Sequence, residues 1–168
     1  MKKLVLSLAL VAGLGLAANA QTEGAVKKLS IGAEVGLPTS EGFKDIMFAG
    51  GSLQAEFPVA KALNLTGSAG YLSMFSTAKG ASGSAGYIPL KAGGKYYFGG
   101  NFYGAGEVGA SISTESGDGA AFSFAPGIGA SFSLGDKTSL DFGARYETWS
   151  KDGSTSFVGL RLAYAFGL

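Results

Sequence analysis

The side chains whose types suit chemistry are five carboxylates, Glu34, Glu56, Glu107, Asp141 and Glu147, and four cations, Lys91, Lys95, Arg145 and Arg161. Carboxylates near cations suit either general acid–base work or ion pairing. Acid–base work near neutrality needs a group that titrates there, and histidine is the side chain whose ordinary range does so. The chain has no histidine. Glu107, Asp141 and Glu147 would act only if their titration moved up toward neutrality, and neighbouring Lys91, Lys95, Arg145 and Arg161 push the other way. The nine charges are therefore read as a structural ion-pair set, and no catalytic residue is expected.

Other chemical signals are weaker. Gly104-Ala-Gly-Glu-Val-Gly109 matches the G-x-G-x-x-G spacing, but a dinucleotide site needs a strand before it and a helix after it. Ala110-Ser-Ile-Ser113 instead continues a strand pattern, so the glycines are read as close packing in a narrow wall. Glu115 and Asp118 are two acids where calcium takes six to eight oxygens, so a solvated loop is expected. With no cysteine there is no disulfide framework, thiol chemistry or lipidation site. No cofactor and no metal are expected.

The elements that must position the nine charges are strands. Residues alternate between large apolar and small or polar types, a period of two that gives an extended segment two different faces. Eight such segments occur. The first is Leu29 to Leu37, with Leu29, Ile31, Ala33, Val35 and Leu37 outward and Glu34 inward. The second is Ala49 to Val59, with Leu53, Ala55, Phe57 and Val59 opposing Ser52, Gln54 and Glu56. The third is Leu63 to Phe75, with Leu65, Ala69, Tyr71 and Phe75 opposing Asn64, Thr66 and Ser68. The fourth, Tyr87 to Phe98, sets Ile88, Leu90, Ala92, Tyr96 and Phe98 against Lys91 and Lys95. The fifth, Asn101 to Ser113, sets Phe102, Val108, Ala110 and Ile112 against Glu107, Ser111 and Ser113. The sixth, Ala121 to Leu134, sets Phe122, Phe124, Ile128, Ala130, Phe132 and Leu134 against three serines. The seventh, Ser139 to Trp149, sets Leu140, Phe142, Ala144 and Tyr146 against Asp141, Arg145 and Glu147. The eighth is Val158 to Leu168. Its row Leu160, Leu162, Tyr164, Phe166 and Leu168 alternates with Gly159, Arg161, Ala163, Ala165 and Gly167.

The polar face decides the class. A soluble barrel places charges outside and aliphatics inside. Here all nine charges share the faces that also hold Ser, Gln and Asn, and both signs occur there. An inside-out barrel explains this: an ionic lumen in which cations pair with carboxylates across neighbouring strands, and an outer wall in lipid. Its segments match the length of a tilted membrane-crossing strand. The fold class expected is all-β, an eight-stranded antiparallel up-and-down transmembrane barrel.

Connections alternate in length. Ala60–Ala62, Gly99-Gly100 and Gly135–Lys137 are short; Pro38–Phe48, Thr77–Gly86, Thr114–Ala120 and Ser150–Thr155 are longer. Short turns toward the periplasm and longer loops outside are the outer-membrane pattern. Pro38–Phe48 is the long loop with apolar anchors, Phe43, Ile46 and Met47. Pro126 falls mid-strand, where proline removes a ladder donor, and a bulge is expected there. Aromatics form two interfacial groups: Phe57, Phe98, Phe102, Phe132 and Phe166 toward the periplasm, and Tyr71, Phe75, Phe122, Phe124 and Tyr146 toward the outside.

The start of the chain supplies an address. Lys2-Lys3, an apolar stretch from Leu4 to Leu16, and Ala18-Asn19-Ala20 form a secretory signal, with cleavage before Gln21. The expected organisation is residues 1–20 as signal peptide and 21–168 as a single barrel domain. Taking Lys2 and Lys3 from the 13 basic residues leaves 11 against 12 acidic ones, a net charge of −1. That balance gives no electrostatic case for nucleic-acid binding. Glycine, 29 of 168 residues, is far above the ~7% average and lacks the collagen period. Twelve Phe and seven Tyr exclude a disordered Gly/Ser polymer.

Together the leader, Ile88-Pro-Leu-Lys-Ala-Gly-Gly-Lys-Tyr-Tyr-Phe98, Leu140-Asp-Phe-Gly-Ala-Arg-Tyr146 and the apolar last strand resemble the small outer-membrane β-barrel proteins of Gram-negative bacteria. The likeness covers the chain after its leader and is greatest to those of the Bacteroidetes type. The wider group includes the membrane domain of outer membrane protein A, and outer membrane protein X. The resemblance implies outer-membrane lipid as the surroundings. It also implies biogenesis through periplasmic chaperones and the barrel-assembly machinery, the last strand serving as assembly signal. The enzymes among such barrels use a histidine base, which this chain lacks. A structural or surface-interaction role in a monomer is the leading expectation. A narrow conduit for a small or hydrophobic solute is the alternative.

Overall fold

The computed structural model describes residues 26–39, 45–78, 83–115, 117 and 119–168. Eight strands follow in order: β1 (Lys28–Pro38), β2 (Ile46–Ala60), β3 (Leu63–Ser76), β4 (Ser84–Gly99), β5 (Phe102–Ser113), β6 (Ala120–Gly135), β7 (Thr138–Ser150) and β8 (Ser154–Gly167). Each pairs antiparallel with the next, and β8 returns to β1, closing the sheet into a barrel. The closing seam runs from Lys28↔Gly167 to Pro38↔Phe157 without a register shift. Closure leaves no unpaired edge among these strands, which lipid would not tolerate.

The strands extend further than alternation alone suggests. Ile46 and Met47, read as anchors of a loop, are the first residues of β2 and pair with Ser76 and Phe75. Ser84–Gly86 belong to β4, and the connection from β7 to β8 shrinks to residues 151–153. Inter-strand hydrogen bonds extend a ladder wherever two backbones lie side by side, whatever the side-chain pattern. The expected signal segment (residues 1–20), Phe43 and Asp118 lie outside the described residues.

Pro126 makes no bulge. Phe124↔Thr148 and Gly127↔Arg145 keep one register, with two pairs missing between them. The proline withholds its donor, but the alternation on either side is intact and holds the faces in phase. Pro89 does the same between Ala69↔Leu90 and Leu72↔Tyr87. Register shifts occur instead next to the short turns, at Pro58/Ala60, Tyr97/Gly99 and Ser133/Gly135. In the β4–β5 turn Gly100 has φ +54°, a conformation that glycine adopts without steric cost.

The outer wall is apolar on every strand. Ile31, Leu53, Tyr71, Leu90, Val108, Phe142 and Leu162 are all exposed, and Ile128 reaches 66%. In water such a continuous surface would drive association. In lipid it costs nothing. Phe57, Phe98, Phe102 and Phe132 near the short turns, and Tyr71, Phe122, Phe124 and Tyr146 nearer the long loops, are exposed on this wall. Phe75 and Phe166 are half-buried.

Candidate functional site

The polar faces of all eight strands point into the lumen, and the nine charges meet there. They form one unbranched chain in which sign alternates. Glu56 binds Lys95 at 2.6 Å, and Lys95 binds Asp141 at 3.2 Å. Asp141 lies 3.8 Å from Arg161, which lies 3.5 Å from Glu34. Glu34 binds Arg145 at 2.5 Å, and Arg145 binds Glu147 at 2.6 Å. Glu147 binds Lys91 at 2.9 Å, and Lys91 ends the chain 3.8 Å from Glu107. Each of the four cations thus stands between two carboxylates.

Five acids and four bases fit this arrangement because both ends are acids capped by neutral donors. Glu56 accepts from Asn64 Nδ2 at 3.2 Å and Tyr97 OH at 3.3 Å. Glu107 accepts from Gln54 Nε2 at 3.1 Å and Ser68 Oγ at 3.0 Å. Ser52 donates to Glu34 and accepts from Arg161 Nε. A buried carboxylate is tolerated when its lone pairs are filled, and these are.

The expected pairing across neighbouring strands holds for only part of the chain. Lys91–Glu107, Arg161–Glu34 and Arg161–Asp141 do join adjacent strands. Lys91–Glu147 and Lys95–Asp141 instead cross from β4 to β7. Lys95–Glu56 and Arg145–Glu34 skip over one strand, and Arg145–Glu147 lies within β7. The reason is the bore. An eight-stranded barrel is just wide enough for its side chains to fill, so lysine and arginine reach the far wall.

Two aromatic groups flank the charges. Toward the short turns, Tyr103 donates to Asp141 Oδ1 at 2.9 Å, and Lys95 Nζ sits 4.5 Å from its ring centre. Glycine makes that geometry possible. Gly129 and Gly143 are paired across β6 and β7, and a Cβ on Gly129 would overlap the phenol.

Toward the long loops, Phe48, Leu72, Trp149 and Phe157 form a buried cluster, with Met74, Tyr87 and Ala121 packed on it. Phe48 and Phe157 stack at 4.5 Å, and Trp149 meets each of them edge-on at 5.3 Å. Trp149 Nε1 donates to Glu147 Oε1 at 2.7 Å, tying the cluster to the charges.

Sequence reasoning missed this cluster, although parity contained it. Phe48 shares its parity with Gln54 and Glu56, Leu72 with Thr66, Trp149 with Glu147, and Phe157 with Arg161. The β8 row falls on the opposite face: Leu162, Tyr164 and Leu168 are exposed, while Leu160 and Phe166 are half-buried. Gly104–Gly109 lies wholly within β5, with no helix after it. Glu115 lies in the loop after β5, where its backbone N–H is held by Ser113 Oγ.

A closed barrel with an apolar wall and an ionic lumen is an integral membrane β-barrel, and the described residues cross with strands. The chain belongs to the outer membrane protein beta-barrel domain family, whose description matches residues 6–166. Its place is the outer membrane. Among solved structures it is similar to Ail, the attachment invasion locus protein of Yersinia pestis, at 16% identity and TM-score 0.57, covering 84% of this chain and 99% of that one. Neisserial surface protein A aligns at 12% identity and TM-score 0.63, over 84% and 97%. The N-terminal β-barrel domain of Pseudomonas aeruginosa OprF aligns at 10% identity and TM-score 0.51, over 83% and 97%. At such identities the likeness is one of fold. Among curated proteins nothing matches the chain.

Proposed function

We propose that the barrel is a plugged, non-conducting and non-catalytic scaffold that strengthens the outer membrane and presents its loop end at the cell surface. The observation that carries this reading is the alternating chain of nine charges, which fills the lumen from wall to wall. The cavities left among these side chains measure about 50 and 20 Å3. The larger is lined by Gln54, Thr66 and Arg161 and is of a size that suits ordered water. A hydrated ion does not pass such gaps unless several buried ion pairs separate, each at substantial cost. The absence of histidine supports the non-catalytic part.

The same reading takes residues 1–20 as a signal removed before Gln21, leaving 21–168 as one domain. It takes β8 as the segment that the barrel-assembly machinery reads, and the barrel as a monomer. Planar-bilayer recording of the folded protein tests the plug. Silence, or rare small openings, is expected. Large and stable conductance would favour the conduit reading, in which a solute entering at the loop end parts the network.

A further inference from the structure

Above the charges the barrel opens outward in a cup of about 420 Å3, within the ~300–1,000 Å3 range of small-molecule sites. Its walls carry Phe48, Met74, Tyr87 and Trp149, with Ala121 and Ser111 facing each other across β5 and β6. Trp149 and Tyr87 lie 4.8 Å apart at 49°, so the walls offer ring faces and edges at several angles. The indole N–H already donates to Glu147, so Trp149 presents only its apolar body.

Among the described residues of this wall, one buried polar group lacks a partner. Ser111 is 1% exposed, and its Oγ makes no hydrogen bond. A buried hydroxyl without a partner costs free energy that a bound hydrogen-bonding group would recover. Among the described residues no Asp, Glu, Asn or Gln side chain lines the cup. Sugars need several such groups around the ring, so the lining disfavours them. Lys151, the one charged residue among the described lining, is exposed at the rim, where water screens it, so a ligand's charge would gain little there.

We infer that this cup binds a small uncharged aromatic molecule carrying a hydroxyl, its ring against Trp149 and Tyr87 and its hydroxyl on Ser111. The site is independent of the plug: it needs the upper wall of the lumen and no passage through it.

Trp149 is the sole tryptophan of the chain and so reports on the cup directly. The test titrates 4-nitrobenzyl alcohol, an uncharged ring with a hydroxyl and a quenching nitro group, into the full protein in lipid nanodiscs. Native protein should show saturable quenching. Ser111→Ala should raise the half-saturating concentration by about 2- to 10-fold, the weight of one hydrogen bond. Ala121→Phe, which fills the space opposite Ser111, should abolish saturation. Ile128→Ala on the lipid wall should change nothing. Heat-modifiable migration on a gel checks that each variant is folded. Quenching that rises linearly and equally in native protein and Ala121→Phe reports partition into the bilayer only and overturns the site. Relief of quenching by glucose at the same concentration overturns the ligand class.

Discussion

Glu147→Gln should lower the stability of the folded barrel by about 3–5 kcal/mol, the cost of removing one partner from a buried ion pair. Glu147 is 0% exposed and lies where the charge chain meets the aromatic cluster. Its Oε2 accepts from Lys91 and Arg145, and its Oε1 from Ser123 and Trp149. Glutamine keeps the shape but leaves Lys91 and Arg145 each short of an anion in the buried interior of the barrel. Urea unfolding in lipid vesicles, followed by Trp149 fluorescence, gives the size of the loss. Glu115→Gln, in the exposed loop after β5, should stay within about 0.5 kcal/mol of the native protein. Equal midpoints for the two variants would mean that the lumen charges do not hold the barrel together.

The second large effect is expected on β8. Leu162 lies mid-strand on the lipid wall, paired with Ala33 on β1 and Phe142 on β7. Arginine there should cost about 2–4 kcal/mol near the bilayer midplane. Removal of Phe166 to Leu168 should do more, because these residues hold both neighbours. Phe166 pairs with Leu29 and Thr138, Gly167 N donates to Lys137 O, and Leu168 N donates to Lys27 O. Without them the seam opens at its short-turn end, and the proposed assembly signal is lost. Fractionation of cells should find the shortened protein in the periplasm, degraded or aggregated. Native levels in the outer membrane would contradict both roles of this strand.

Much of this was legible in the sequence because a membrane barrel writes its two faces in alternate residues. Leu53, Leu90 and Leu162 on one parity and Glu56, Lys91 and Arg161 on the other are enough to set strand, phase and wall. Partner choice was not legible. Parity says that Lys95 points inward, but whether it meets Glu56, Glu107 or Asp141 depends on barrel diameter and strand stagger, which no single strand carries. The aromatic cup was hidden for a different reason. Phe48, Leu72, Trp149 and Phe157 have the parity of the polar face and the chemistry of the lipid face. Hydrophobicity argued for lipid; the phase set by Glu56, Thr66, Glu147 and Arg161 argued for the lumen and prevailed. Pro126 misled through local propensity, since its missing donor costs two ladder pairs and no register.

One face of every strand meets lipid and the other is sealed inside. Nuclear Overhauser transfer from lipid acyl chains to protein methyl groups tests it without altering a residue. Leu53, Leu90, Ile128 and Leu162 are exposed on the wall, while Leu72, Ala163 and Ala165 are about 2% exposed in the lumen. Methyls of the first group should receive strong transfer from the acyl chains, and those of the second group none. Transfer to Leu72 and Ala163 with silence at Leu162 would place the charges toward lipid and contradict the account at its root.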